Sequence, residues 1–313
     1  MTLVLVAGLL AISVGVEAQA AERRGTPQPT AATSAAFTTT APTTTPTTTP
    51  TTTTPAATTP VPPPAPVTNT CAITADLAAA VALAAGQGEQ AGAAVLDTST
   101  GTVVSAGAAD TAFDTASVVK VLIATQLLLQ GQMTGVTAAT AQQMIALSDD
   151  DAADALYELA GGDAIVTDVA AHYGITNLGS PPADTGQWGE STVTADGLAR
   201  LYAALKADPV VWPWLSQAMS AAQQTAADGT NQFFGIPTAT TGWAIKQGWM
   251  VGLGPGATYN TTGYVDGDRY VVVILTHGSA ADYNSVLPTT ISAMARDVIP
   301  APGVGAATAT CPA

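Results

Sequence analysis

From Cys71 onward the apolar positions fall into runs of two different periods. Ile73 to Ala85 is rich in Ala and Leu and stops at Gly86, which predicts a helix. Ala91 to Asp97 and Thr102 to Ala106 are short apolar runs around a Ser99-Thr100-Gly101 turn, the pattern of a β-hairpin. From about 115 to 225 apolar residues recur at helical spacing, with breaks at Gly131, Ser148 to Asp151 and Gly161-Gly162, and a long loop from Gly174 to Ser191. Gly242 to Val251, Thr261 to Val265 and Tyr270 to Thr276 then alternate or are β-branched, and Asp266-Gly267-Asp268 joins the last two as a hairpin. Ala281 to Val298 reads as a closing helix. The order is helix, two strands, many helices, three strands, helix. A sheet must therefore be assembled from both ends of the chain around a helical insertion, an α+β arrangement.

The pattern before Cys71 is different in kind. Leu3 to Val16 is one apolar run, followed by the small-x-small string Ala18-Gln19-Ala20, so residues 1–20 are expected to be a signal peptide. The run is too short to span a bilayer comfortably, and no stable membrane insertion is expected after cleavage. Residues 21–70 are dominated by Thr and Pro, cannot bury enough surface to fold, and are expected to form an extended linker. Fifty residues at about 3.1 Å each reach roughly 150 Å, enough to hold a domain away from a membrane or within a cell wall. The folded domain is expected over 71–313, extracytoplasmic and associated with the cell wall.

Charge narrows the partners. The chain has 23 acidic and 8 basic residues, and all but Glu17, Glu22, Arg23 and Arg24 lie in the domain. So negative a surface argues against nucleic acid and anionic membranes, and a monomer acting on a small molecule or peptide is expected. Cys71 and Cys311 bracket the domain and, in an exported protein, read as a disulfide that contributes roughly 5 kcal/mol in the chain-entropy picture. His172 and His277 are the only histidines, too few for a zinc site or a Ser-His-Asp triad, so neither metal nor organic cofactor is expected.

Without histidine, a serine nucleophile needs another base. The chain has three lysines, and two of them lie in short strings that flank a third: Ser117-Val118-Val119-Lys120, Ser148-Asp149-Asp150 and Lys246-Gln247-Gly248. Each string is common by chance, but all three together arise in roughly one chain in five hundred. Ser117 opens a predicted helix, so its N–H is a free donor at the positive end of the dipole, suited to an oxyanion. Lys120 lies one turn later among Val118, Val119, Val121, Leu122 and Ile123. Burial there lowers an ammonium pKa and lets the amine take the Ser117 proton.

A Ser-x-x-Lys, Ser-Asp-Asn-like, Lys-x-Gly-like series resembles that of penicillin-binding proteins and class A β-lactamases. The stretch from about 72 to 300 is similar to the class A β-lactamase family, and more narrowly to its actinobacterial exported serine hydrolase branch. The resemblance rests on Phe113 to Leu122 for the nucleophile helix, Trp188 to Asp196 for the helix start after the loop, and Lys246 to Trp249 for the inner strand. It implies a β-lactamase/transpeptidase-like fold: an antiparallel five-stranded sheet built from both chain ends, flanking terminal helices and an all-helical insertion lobe. It implies also that Ser148 relays a proton to the leaving nitrogen, that Lys246 meets a substrate carboxylate, and that the Trp249 N–H is the second oxyanion donor.

Three departures bear on activity. Asp150 stands where the family has Asn, and a carboxylate can accept from Lys120 but cannot donate to a substrate carbonyl. Gln247 replaces a hydroxyl residue that contacts the substrate carboxylate, beside Gly248. The loop from Gly174 to Ser191 lacks the Glu-x-x-Leu-Asn string, whose glutamate activates the deacylating water, and its acids are Asp184 and Glu190. The expectation is an exported serine hydrolase acylated at Ser117 by β-lactams or D-Ala-D-Ala-type wall peptides, with weak β-lactam turnover. A weak or inactive domain that binds wall peptides or a protein partner, and a small-ester hydrolase, are the alternatives.

Overall fold

The computed structural model describes residues 70–252 and 256–299. The expected signal peptide, all of the expected linker but Thr70, and Cys311 lie outside the described residues, while Cys71 lies in the first helix.

Helix α1 (Thr70–Gly86) leads into the hairpin β1 (Gln90–Asp97) and β2 (Thr102–Gly107), and a two-residue strand β3 (Phe113–Asp114) follows. The middle of the chain holds α2 (Val119–Leu129), α3 (Gly135–Ala146), α4 (Asp150–Ala160) and α5 (Ile165–Tyr173). Two short strands, β4 (Gly179–Ser180) and β5 (Thr192–Val193), interrupt the helices and form a small sheet in which β5 pairs with both β3 and β4, and α6 (Ala195–Ala207), α7 (Trp212–Ser220) and α8 (Ile236–Ala239) follow. The chain returns through β6 (Ala244–Val251), β7 (Gly256–Val265), β8 (Tyr270–Ser279) and α9 (Val286–Val298). The main sheet has the order β2-β1-β8-β7-β6 and every pair is antiparallel. Strands from the two chain ends meet where β1 pairs with β8, Ala93 opposite Ile274. No helix among the described residues is long and apolar enough to cross a membrane.

The period-2 alternation of a strand explains the layers. Val271, Val273 and Leu275 of β8 belong to the core shared with α2 and α6, whereas Val272 and Ile274 belong to the core shared with α1 and α9. Both faces are covered, so β8 reads as a continuous apolar run rather than an alternating one.

β7 begins five residues before the expected Thr261. Its first half, Gly-Ala-Thr-Tyr-Asn, mixes Thr and Tyr with Gly, Ala and Asn, which are depleted in strands, yet all ten residues are buried. Here hydrogen bonds replace propensity: the Thr258 hydroxyl donates to Thr276 O at 2.8 Å and the Asn260 amide to Asp114 O at 2.8 Å. The closing helix starts at Val286 rather than Ala281, because the Ser279 hydroxyl accepts from the Ala281 N–H at 3.2 Å and holds Ala280–Asp282 as a separate 3₁₀ turn.

Candidate active site

Ser117 sits in a 3₁₀ turn, Ala116–Val118, that runs directly into α2. The preceding Ala116 has φ 44°, an unfavourable region for a residue with a Cβ, which persists only where the surroundings over-determine it. They do so here. Thr115 N donates to Ser191 O at 2.8 Å, and the buried Asn260 amide donates to the carbonyls of Asp114 and Thr115 at 2.8 and 3.2 Å. β6, the edge strand, lies against the same turn through Gly248. A Cβ at Gly248 would stand 2.6 Å from Thr115 O and 3.1 Å from Val118 Cγ2. Gly248→Ala is therefore expected to push the turn off its position, slowing modification of Ser117 by about a hundredfold as misplaced reacting groups do. The rate of adduct formation by mass spectrometry checks this, and a wild-type rate would show that the turn tolerates the shift.

The edge position of β6 also supplies a donor. Gly252 N donates to Gly256 O at 3.2 Å, so by alternation the main-chain N–H of Trp249 points away from β7, to the open side where the nucleophile turn packs. The Trp249 indole is occupied elsewhere, donating to Asp228 at 3.1 Å.

The two lysines converge on one serine. Lys120 is fully buried, and its Nζ donates to Ser117 Oγ at 2.9 Å, Ser148 O at 2.7 Å and Asp150 Oδ1 at 2.5 Å. Lys246 is buried too, and its Nζ donates to Ser148 Oγ at 2.8 Å and Gln247 O at 2.8 Å. Ser148 thus offers its carbonyl to one amine and its hydroxyl to the other, with φ at 54°. A serine before a helix ordinarily caps it, but the cap of α4 is Asp149, whose side chain accepts from Ala152 N at 3.1 Å. That leaves the Ser148 hydroxyl to Lys246.

Burial pushes the Lys120 pKa below that of an ordinary lysine, against the opposing pull of the Asp150 carboxylate. Lys246 is driven well below, by burial first and by the charge of Lys120 second. The pair accommodates one positive charge more readily than two.

The remaining expected residues fall at different distances from this centre. Asp150 opens α4 with its side chain 64% exposed, so its carboxylate faces the cleft while one oxygen holds Lys120. Gln247 is fully buried and its amide donates to Phe234 O at 2.6 Å, directed away from the Lys120–Ser148 pair. Asp184 is exposed in the loop. Glu190 acts on Asp114, where burial first and the Glu190 charge second push the carboxyl pKa up. Trp188 and Asp228 carry no chemistry visible in the sequence. The Trp188 ring covers Lys120 Nζ at 4.9 Å from its centroid, pinned by its indole N–H to Asp154 at 2.8 Å. Asp228, an exposed loop acid, acts on both lysines. A tryptophan next to the loop acids was the available hint; nothing local distinguishes Asp228.

An antiparallel sheet closed by both chain ends, with a serine and two buried lysines joined through a second serine, defines the β-lactamase/transpeptidase-like class of serine hydrolases. The chain belongs to the β-lactamase enzyme family: the model described as "Beta-lactamase enzyme family" matches residues 132–300, which include Ser148, Asp150 and Lys246. A protein named "Putative lipoprotein LppW" from Mycobacterium tuberculosis is 33% identical over 229 residues, 69% of this chain and 72% of that one, and the same holds for its counterpart in Mycobacterium bovis. Among solved structures, the β-lactamase of Desulfarculus baarsii superposes with a TM-score of 0.56 at 16% identity, over 74% of this chain and 97% of that one. An ancestral class A β-lactamase gives 0.54 at 21% identity, over 72% and 98%. Those two likenesses show the fold. Ser117 and Lys120 precede the matched family segment.

Proposed function

We propose that this protein is an extracytoplasmic serine hydrolase that forms an acyl-enzyme at Ser117 with β-lactams or D-Ala-D-Ala-type wall peptides and releases it slowly. The observation that carries this reading is the hydrogen bond from the buried Lys120 amine to Ser117 Oγ at 2.9 Å. In its neutral form Lys120 takes the Ser117 proton, Oγ bonds to the substrate carbonyl carbon, and the oxyanion accepts from the N–H groups of Ser117 and Trp249. The carbon–nitrogen bond breaks as the nitrogen takes a proton from the Ser148 hydroxyl, and Ser148 recovers one from protonated Lys246. The Ser117 proton stays on Lys120 and the Lys246 proton reaches the nitrogen through Ser148, so the charge of the amine pair moves from Lys246 to Lys120 and no proton is gained or lost.

Slow release follows from what surrounds Lys120. The Trp188 ring covers the amine, and the charges of Asp150, Asp149 and Asp228 act on it. A carboxylate poised to activate water over the ester is what class A β-lactamases add for turnover. Extracytoplasmic location is supported by the name of the mycobacterial relatives and by the apolar run before Ala18. The test is incubation with a labelled penicillin. A mass increase on the wild type, absent from Ser117→Ala, is expected. No adduct at any concentration would favour the binding-domain reading, which Asp150 supports by opposing the fall of the Lys120 pKa. Ester hydrolysis without penicillin labelling would favour the small-ester reading.

Asp150→Asn is expected to speed acylation several-fold at neutral pH. It removes the charge that opposes the fall of the Lys120 pKa and restores a donor to the cleft. Single-turnover labelling against pH checks this: the rate should begin its rise at lower pH, and an unchanged profile would count against it.

A further inference from the structure

We propose that the Ser117 site favours acyl donors that are neutral or cationic beside the scissile bond over donors that carry a carboxylate there, with Asp150 and Asp228 setting the preference. This rests on the acyl-enzyme reading and names the substrate class within it.

Three observations converge. The first is that the lysine expected to receive a carboxylate is withdrawn. Lys246 is 1% exposed and has already given two donor bonds, to Ser148 Oγ and Gln247 O, both at 2.8 Å. The second is that its neighbour contributes nothing toward an anion. The Gln247 side chain is fully buried and its amide N–H goes to Phe234 O at 2.6 Å. The third is the placement of two carboxylates close enough to act on both Lys120 and Lys246. Asp150 presents an exposed side chain above Lys120, and Asp228 holds the Trp249 indole at 3.1 Å, on the residue whose main chain serves the oxyanion.

No other described cation offsets them. Arg200 pairs with Asp196, Arg269 with Asp97, Arg296 donates to Thr238 Oγ1, and Lys206 donates to Thr98 Oγ1 and Asp268 O. Two exposed carboxylates stand beside two buried amines whose pKa values are both lowered, and like charges brought together across a contact are strongly disfavoured. A donor whose flanking group is an ester, amide or ammonium meets no such repulsion, and an ammonium is attracted.

The experiment uses three forms of one β-lactam: benzylpenicillin, its uncharged methyl ester, and an aminoethyl amide bearing an ammonium group. Each is incubated with the wild-type protein at low ionic strength. Adduct formation at Ser117 is followed by intact mass, and each rate is divided by that probe's own hydrolysis rate in buffer. The ester and the cationic amide are expected to label at least about tenfold faster than the free acid, with the cationic amide ahead. Raising the salt concentration should narrow the gap between acid and amide. Asp228→Asn should narrow it as well. Labelling by the free acid as fast as by the ester would overturn the preference while leaving the acyl-enzyme intact. Absence of labelling by all three would overturn the acyl-enzyme reading and the preference with it. The wild-type ratio decides the matter even where the variant folds poorly.

Discussion

Lys120→Met is expected to slow acylation of Ser117 by a factor of about a hundred to ten thousand, the range that a general base contributes. The Ser117 hydroxyl would lose its only described partner, and among the described residues no histidine or second amine reaches it. A loss of folding would give the same result, so stability has to be read beside the rate. Breaking a buried ion pair usually destabilises because the orphaned charge stays buried. Here the orphan is Asp150, whose side chain is 64% exposed and can rehydrate, while methionine keeps the volume of the lysine stem. Thermal unfolding near wild type together with lost labelling is the expected combination.

The pH dependence has a definite sign. The folded pKa of Lys120 lies below that of the unfolded chain, so the unfolded state binds more protons between the two values and stability rises with pH there. As pH falls through that window, the wild type should lose stability relative to Lys120→Met. The labelling rate should rise with pH over the same window in the wild type and stay flat in the variant. A wild-type profile that does not move with pH would remove Lys120 from the role of base.

Ser148→Ala is expected to divide substrates by leaving group. An amide or lactam nitrogen must gain a proton as it departs, and the hydroxyl in place to give one is that of Ser148, recharged by Lys246 at 2.8 Å. A nitrophenolate leaves without protonation. Labelling by a penicillin should therefore fall about a hundredfold to a thousandfold, within the range for general acid catalysis, while acylation by a nitrophenyl ester should change only a few-fold. Equal losses on both substrates would mean that Ser148 acts on the position of the two lysines through its backbone, since its carbonyl also holds Lys120 at 2.7 Å. Single-turnover rates on the two substrate types separate these outcomes.

Much of this site was legible because its key residues lie in short strings whose spacing is meaningful on a helix or a strand. Ser117 and Lys120 are one turn apart, so a helical reading already placed the amine beneath the hydroxyl, and the apolar residues around Lys120 implied its burial. The hairpin, the helical middle and the late strands were legible for a related reason: period and turn residues are local properties. β7 was half missed because Thr258 and Asn260 are buried through hydrogen bonds to Thr276 and Asp114, partners distant in the chain. The helix-cap alternative for Ser148 could not be dismissed locally either, since Ser148 and Asp149 are both competent caps and only the fold shows which one is used.

The sequence by itself determined the chemical inventory: a serine with a lysine one turn on, a second serine and a second lysine, an acid in place of an amide, and an inner strand with glycine where contact is closest. It did so because nucleophile, base and glycine requirements follow from residue type and near-neighbour spacing. The tertiary structure alone decided that Ser148 joins the two amines, that Trp188 covers one of them, that Gln247 turns inward, and that Asp228 stands beside Trp249. Each is a contact between residues 13 to 98 positions apart, fixed by how distant elements pack, and no local pattern encodes such a distance.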